Sequence, residues 1–535
     1  PAPTPAPTPA PTPAPTPTST PAPTPAPTPA PTPAPSPAPT PAPVTTVPAT
    51  TAPAPTASPG TCNSPRVRKA WSALSDTEKI TYKNAIASAM DSGMYERFLS
   101  MHREQMDNMQ AHNTCVFIYW HRQFLVGFEN MLRSLDPSYA CVTIPYFDYV
   151  NDNTKYMAGT CSTINTCSSI VNELGSASLG QKKSVTINGY GFSSRCDNTF
   201  PLNHFNQNQK GATGTSYNCV PRGMYTSSYF PSAVGFTGIK NAIIGDSDVS
   251  TVNNAIEDNP HNYMHDTLGG AMANTFVSPA DPIFYSHHSM IDALNAIYYK
   301  CRVAPQGFND AQKQTNVLSF EGCTVNGSPI TATTSIAMRA IINGNVVDVR
   351  SESSTKNFFT GVPNEYYKLT DNTNLGDNSY SYEFSGLLAD LYTNCGASGL
   401  TTSGNLRSLS RVATSATNNY GQVQNYVKPE ASKHVKVYKN WRAEITKHAK
   451  KQGWTAEKTE NEIYKIVVAY YYYCLPGGIK DLSDEFKAMW HVTDTPKQIK
   501  VLKALLDNSD PIQLSGYEDI NYAHFNCKGK APAYQ

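Results

Sequence analysis

Proline occupies nearly every second position of the first 60 residues, in a PAPTPAPT repeat that fades into VTTVPATTAPAPTASPG. Each proline lacks a backbone N–H and has a fixed φ, so this stretch can build neither a helix nor a strand ladder. None of its side chains is large enough to start a core. The composition favours polyproline II, which would reach roughly 150–200 Å at about 3.1 Å per residue. Threonine and serine beside proline also mark a mucin-like, O-glycosylated stalk. Residues 1–60 are therefore expected to be a disordered stalk, and the folded structure must come from the remainder of the 535-residue chain.

Lysine and arginine number 42 against 41 aspartates and glutamates, so no electrostatic case exists for a nucleic-acid partner or an anionic membrane surface. No run of about 18 apolar residues occurs, and no membrane span is expected. The chain starts at Pro1 with neither Met nor a signal peptide, which reads as a processed or trimmed product. Twelve cysteines are scattered along it without a CxxC, which argues against a zinc ribbon or a thioredoxin site. An even number in a globular chain suits several disulfides in an oxidising compartment. The sequon Asn326-Gly327-Ser328 points the same way. A secreted, extracellular or wall-associated protein is the expectation.

After Ser64 the pattern becomes helical. Residues 66–109 read as two helices, with Ser75 and Asp76 as cap candidates and a break at DSG before MYERFLSMH. Apolar residues recur at helical spacing from Phe117 to Leu135. Residues 150–250, rich in Gly, Ser, Asn and Cys, read as long loops pinned by disulfides. NYMHDTLGG and DPIFYSHHSMIDALNAIYYKC bring helices back, and residues 325–383 look mixed, with strand-like pieces such as NGNVVDV. The expected division is a stalk at 1–60, a main domain at 61–395, a linker at 396–422 and a helical C-terminal unit at 423–535.

The histidines carry the chemistry. His261 and His265 in HNYMH are four apart, share a helical face and can hold one ion, although such pairs also occur on ordinary helix surfaces. The zincin reading fails, because Asn262 stands where HExxH needs its glutamate. His112 and His121 are nine apart, on opposite faces of any single helix, and converge only if a turn intervenes; HNTC supplies one. With His102 from the preceding helix, three imidazoles come from three backbone pieces. An all-histidine set suits copper, zinc or iron better than magnesium or calcium. In the doublet His287-His288, Asp292 lies four after the second histidine, whereas Ile291 lies four after the first. That spacing selects His288 as ligand, with Asp292 as acceptor for its second ring N–H.

At this point the chain resembles the tyrosinases, catechol oxidases and molluscan-type haemocyanins, the type 3 copper proteins. The resemblance runs from about RVRKAW to SYSYEF and rests on AHNTCVFIYWHRQFLVGFENMLR, TIPYFDYVND, HNYMHDTLGG and SPADPIFYSHHSMID. It implies a mainly α fold: a central antiparallel four-helix bundle holding two copper ions, long disulfide-pinned loops and a small helical C-terminal unit. His102, His112 and His121 would hold one copper, and His261, His265 and His288 the other. Arg66 or Arg68, with Tyr380 and Tyr382, resembles the contact that closes the family's core domain. The family's cysteine two before the second ligand is replaced here by Gln110, so its thioether is not expected. Cys115 is expected in a disulfide, with Cys141 as a candidate partner.

The resemblance also implies chemistry. Dioxygen is the oxidant, and phenolic small molecules or protein tyrosines become o-quinones. Hydroxylating a phenol requires a base for a proton with a pKa near 10. Glu257 and Asn262 match the positions where the family holds a proton-accepting water. Thr275, thirteen before His288, marks a gate where many catechol oxidases carry a phenylalanine; Phe276 beside it and Phe284 of DPIF complete the access region. The C-terminal unit resembles an inhibitory lid that plugs the site with an aromatic side chain. AYYYYC, 469–474, reads as a buried aromatic face rather than a self-crosslinking tag. The alternatives are a catechol oxidase without monophenolase activity, a dioxygen carrier of the haemocyanin kind, and a structural wall protein whose copper site is vestigial; the partner expected for the stalk is cell wall or extracellular matrix.

Overall fold

The computed structural model describes residues 62–107, 111–176, 180–206, 217–244, 248–396, 423–428 and 432–529. The expected stalk and nearly all of the expected linker lie outside these, as does Gln110.

Helix α1 (Asp76–Asp91) starts where its cap dictates. The Ser75 hydroxyl accepts the Glu78 N–H at 3.2 Å, and the Glu78 carboxylate accepts the Ser75 N–H at 2.8 Å, a reciprocal capping box. Gly93, at φ 76°, turns the chain into α2 (Met94–Asp107). Helix α3 (Phe117–Ser134) is buried nearly all round, polar His121, Arg122, Gln123 and Glu129 included, and only three of its residues are not buried. The short helices α4 (Tyr149–Met157) and α5 (Phe236–Ile243) follow. Helix α6 (Val249–Ile256) then runs into a π-helical turn, Glu257–His261, and on into α7 (Asn262–Leu268). Pro260 inside that turn has no N–H to give to a regular ladder, and a π-turn accommodates the loss. Helix α8 (Ile283–Tyr298) is buried along its whole length. Helices α2, α3, α6–α7 and α8 make the central antiparallel four-helix bundle.

The expected loop region also contains sheet. Strands β1 (Val67–Arg68), β2 (Gln181–Ile187), β3 (Tyr190–Asp197) and β4 (Val220–Arg222) precede α5; β2, β3 and β4 form an antiparallel meander. Two hairpins follow α8, from β5 (Cys323–Val325) with β6 (Ser328–Ile330) and β7 (Arg339–Ile342) with β8 (Asn345–Asp348). Strand β9 (Ser381–Phe384) pairs in parallel with β1 and with β10 (Tyr426–Val427), tying the two ends of the central region together. Beside that join, Arg68 is fully buried, its guanidinium 3.8 Å over the Tyr380 ring and 2.9 Å from Glu129. Arg66 pairs with Glu129 as well.

All twelve cysteines are paired: Cys62–Cys141, Cys115–Cys323, Cys161–Cys167, Cys196–Cys219, Cys301–Cys395 and Cys474–Cys527. Cys115 is thus bonded to Cys323 and not to Cys141, because its loop leads into α3 beside the β5–β6 hairpin.

Past α9 (Gly386–Asn394) the described residues hold five further helices: α10 (Lys433–Lys451), α11 (Ala456–Cys474), α12 (Asp484–Trp490), α13 (Lys497–Leu506) and α14 (Tyr517–Phe525). They cluster with the central helices in one unit, residues 57–535. The run AYYYYC is split. Tyr470 donates to the Met157 carbonyl at 2.7 Å and Tyr471 bonds Asn153, while Tyr472 and Tyr473 are exposed.

A candidate dinuclear metal centre

Three separate backbone pieces deliver the first histidine set. His102 comes from α2, His112 from the loop 111–116 and His121 from the second turn of α3. Their ring centroids lie 4.9–5.8 Å apart. The second set comes from the π-turn (His261), α7 (His265) and α8 (His288), with centroids 4.5–5.5 Å apart. All six are at most 1% exposed. The sets face each other: the His121 and His288 rings stack at 4.2 Å, and His112 lies 5.2 Å from His261.

Hydrogen bonds on the far nitrogens fix how the rings are presented. His121 Nδ1–H donates to the Phe117 carbonyl at 2.9 Å, and His265 Nδ1–H to the Met272 carbonyl at 2.6 Å. His261 Nδ1–H donates to Asn262 Oδ1 at 2.9 Å. This leaves Nε2 as the inward, lone-pair nitrogen. The Nε2 atoms of His121 and His261 are buried with no hydrogen-bond partner, a costly state that a metal ion relieves. Burial pushes the imidazoles of His121 and His265 down to about 3, against the opposing carbonyls, so both are neutral near pH 7 as ligands must be. The donor set therefore fits two late first-row metal ions.

His287 also falls in the second group by distance, so nearness alone does not single out His288. Orientation does. His288 stacks across on His121, whereas His287 packs against Tyr149, His261 and His265, away from the first set. The expected role of Asp292 is corrected here. Its carboxylate accepts from Arg122 Nε at 2.6 Å, Arg68 Nη1 at 3.2 Å, Tyr380 at 2.6 Å and Tyr382 at 2.5 Å. His288 Nδ1 has no hydrogen-bond partner. A buried carboxylate takes the strongest donors within reach, and two guanidiniums outcompete one imidazole N–H. Burial raises its pKa, and Arg122 and Arg68 more than offset this, so it stays ionised.

Of the access residues, Phe284 lies 4.2 Å from the His288 ring and 5.1 Å from His102. Thr275 is fully buried, its backbone close enough to His102 to oppose the burial that lowers that imidazole's pKa. Phe276 instead stacks on Tyr190 at 5.0 Å, in register with the tip of the β2–β3 hairpin rather than with the imidazoles. Glu257 is 3% exposed and accepts the backbone N–H of Asn113 at 2.8 Å. Burial holds its carboxyl well above the usual range, with that N–H opposing. Asn262 is likewise buried.

Two residues at the centre were not singled out in the sequence. Trp490, the last residue of α12, lies 4.5 Å from His265, 5.0 Å from His112 and 5.4 Å from His261. Its indole N–H donates to the Ala273 carbonyl at 2.9 Å, and Phe486 stacks behind it at 5.0 Å. Asn113 joins it by a side-chain bond to the Trp490 carbonyl at 3.0 Å. Nothing local in FKAMWHV or AHNTC announces either contact.

Residues 92–300 match the family model of the common central domain of tyrosinase. A tyrosinase of Streptomyces glaucescens is 27% identical over 251 residues, 43% of this chain and 80% of that protein. One of Streptomyces antibioticus is 29% identical over 245 residues, 43% of this chain and 81% of that protein. Among solved structures, a functional unit of octopus haemocyanin aligns over 59% of this chain and 67% of its own, at 17% identity and a TM-score of 0.34. Two facing histidine triads, all six residues inside the matched segment, make residues 92–300 similar in sequence and in site to the common central domain of tyrosinase.

Proposed function

We propose that this protein is a secreted copper oxidase of phenols, taking monophenols and o-diphenols to o-quinones with dioxygen. The observation that supports this best is the facing of two buried histidine triads. Two copper ions bound there would supply the dioxygen chemistry. The protein's part is to keep the six imidazoles neutral and aimed, and to exclude bulk water by burying them. Phe284, against His288 and His102, offers an aromatic wall for a phenol ring. Glu257, acting through one water beside Asn262, takes up the phenol proton. Its raised pKa means that this step strengthens as pH rises. Six disulfides support an oxidising, extracellular setting. No helix of the described residues is long and apolar enough to cross a membrane.

In this reading α12 is a plug. Trp490 occupies the space over three of the imidazoles where a phenol would stand, so the full chain is latent until the 475–496 segment is cut or displaced. Oxygen uptake by copper-loaded protein, with tyrosine and then L-DOPA, before and after limited proteolysis, tests both parts. Uptake with both substrates that rises after cleavage is expected. L-DOPA uptake alone would make the protein a catechol oxidase and remove Glu257 from its role. Uptake that ignores cleavage would end the plug reading.

A further inference from the structure

Asn113 directly follows His112 and stands at φ 54°, in the left-handed region that asparagine tolerates better than most residues. That backbone turn aims its N–H at Glu257 Oε1, 2.8 Å away, while its side-chain Nδ2–H donates to the Trp490 carbonyl at 3.0 Å. The residues after it are pinned. Asn253 donates to the Thr114 carbonyl at 2.8 Å, and Cys115 is bonded to Cys323. One residue in this pinned loop therefore grips two partners from different elements, Glu257 of the π-turn and Trp490 of α12. An unusual φ held so firmly beside a functional centre points to a task.

We propose that Asn113 is a positioning residue with two separable grips: its main chain sets the Glu257 carboxylate, and its side chain latches the α12 plug. The inference rests on the reading that Glu257 accepts the phenol proton and that Trp490 blocks the phenol. Its consequence is that the loop carrying a metal ligand also senses whether the plug is seated.

Two substitutions separate the grips. N113G keeps the left-handed backbone and the N–H but removes the amide. N113V disfavours positive φ and turns the N–H away from Glu257. The first readout needs no copper: hydrogen exchange of residues 484–490 in the metal-free full chain. Loss of one hydrogen bond is expected to speed that exchange about fivefold in N113G. Exchange at the wild-type rate would overturn the latch. The second readout is the tyrosine-to-L-DOPA rate ratio after proteolysis, at equal copper content. N113V is expected to fall about tenfold below N113G in that ratio, because only the base-assisted step is lost. Equal ratios would overturn the positioning of Glu257. If N113V does not load copper, N113A, which strains the same turn more gently, takes its place. A wild-type chain inactive on L-DOPA after cleavage would defeat the enzymatic reading instead, and the exchange measurement would still decide the latch.

Discussion

His287 and His288 differ by one position, and the difference is a rotation about the α8 axis. The second histidine is turned across the bundle onto His121, the first onto Tyr149. We expect H288A to bind about one copper equivalent fewer than wild type, and H287A to keep both, by metal analysis after dialysis. Asp292 gives a second prediction. D292N leaves the Arg68 and Arg122 guanidiniums buried against a neutral amide, so denaturant unfolding should show a loss of about 3–5 kcal/mol. Local spacing brought five of the proposed ligands together in the sequence through an i,i+4 pair and an intervening turn, whereas the spacing that picked His288 leaned on Asp292, whose carboxylate faces arginines and tyrosines instead. The partner of Asp292 was not legible, since its donors lie at positions 68, 122, 380 and 382, and no spacing rule connects them. Trp490 and Asn113 were hidden for the same reason.

Helix ends and turns show where reading by periodicity works. Ser75 capped α1 and Gly93 ended it, both marked in the sequence by residue type. The β2–β3 hairpin went unread although Asn188-Gly189, flanked by alternating residues, is a strong hairpin signal; both residues sit at positive φ, 52° and 88°. The low hydrophobicity of the surrounding residues masked it. The π-turn at Glu257–His261 was equally invisible, because the sequence records Pro260 but not the way the helix absorbs it. This turn also carries Asp258, which burial first and Asp494 second raise to about 6 from an ordinary value near 3.8. For a carboxylic acid raised in the folded state, the protonated form is the favoured one, so the seated segment loses stability as pH climbs through about 4 to 6 and stays weakened above. Exchange of residues 484–490 should therefore respond to pH across that range more steeply in wild type than in D258N, compared at matched pH values.

At the scale of the whole molecule, the centre is a cluster of uncharged bases in a buried interior. His121 and His265 titrate near 3 when folded and near 6.5 when not. Between those values the unfolded chain binds more protons, so the stability that these residues contribute is complete above about 6.5 and is lost as pH falls toward 3. Each contributes a slope of up to about 1.4 kcal/mol per pH unit. Thermal unfolding of the metal-free protein should thus collapse on acidification, and copper should delay the collapse until protons displace it. Composition made the mainly helical body and the proline-rich segment legible. How the C-terminal helices pack on the bundle was not, because it depends on surface fit between residues more than 200 positions apart.

The tether behind Trp490 has a consequence for concentration. A free indole ligand over the imidazoles would leave when its solution was diluted, but this one is delivered by its own polypeptide and its local concentration is fixed by chain geometry. Spreading the protein into a large external volume would leave its occupancy untouched. Because the Cys474–Cys527 disulfide closes a loop around this segment, one cut leaves it tethered; once the backbone is severed on both sides of Trp490 the arithmetic reverses, and the same dilution that had no effect carries the severed piece away for good. Activation of this kind runs in one direction, and dilution is what prevents its return.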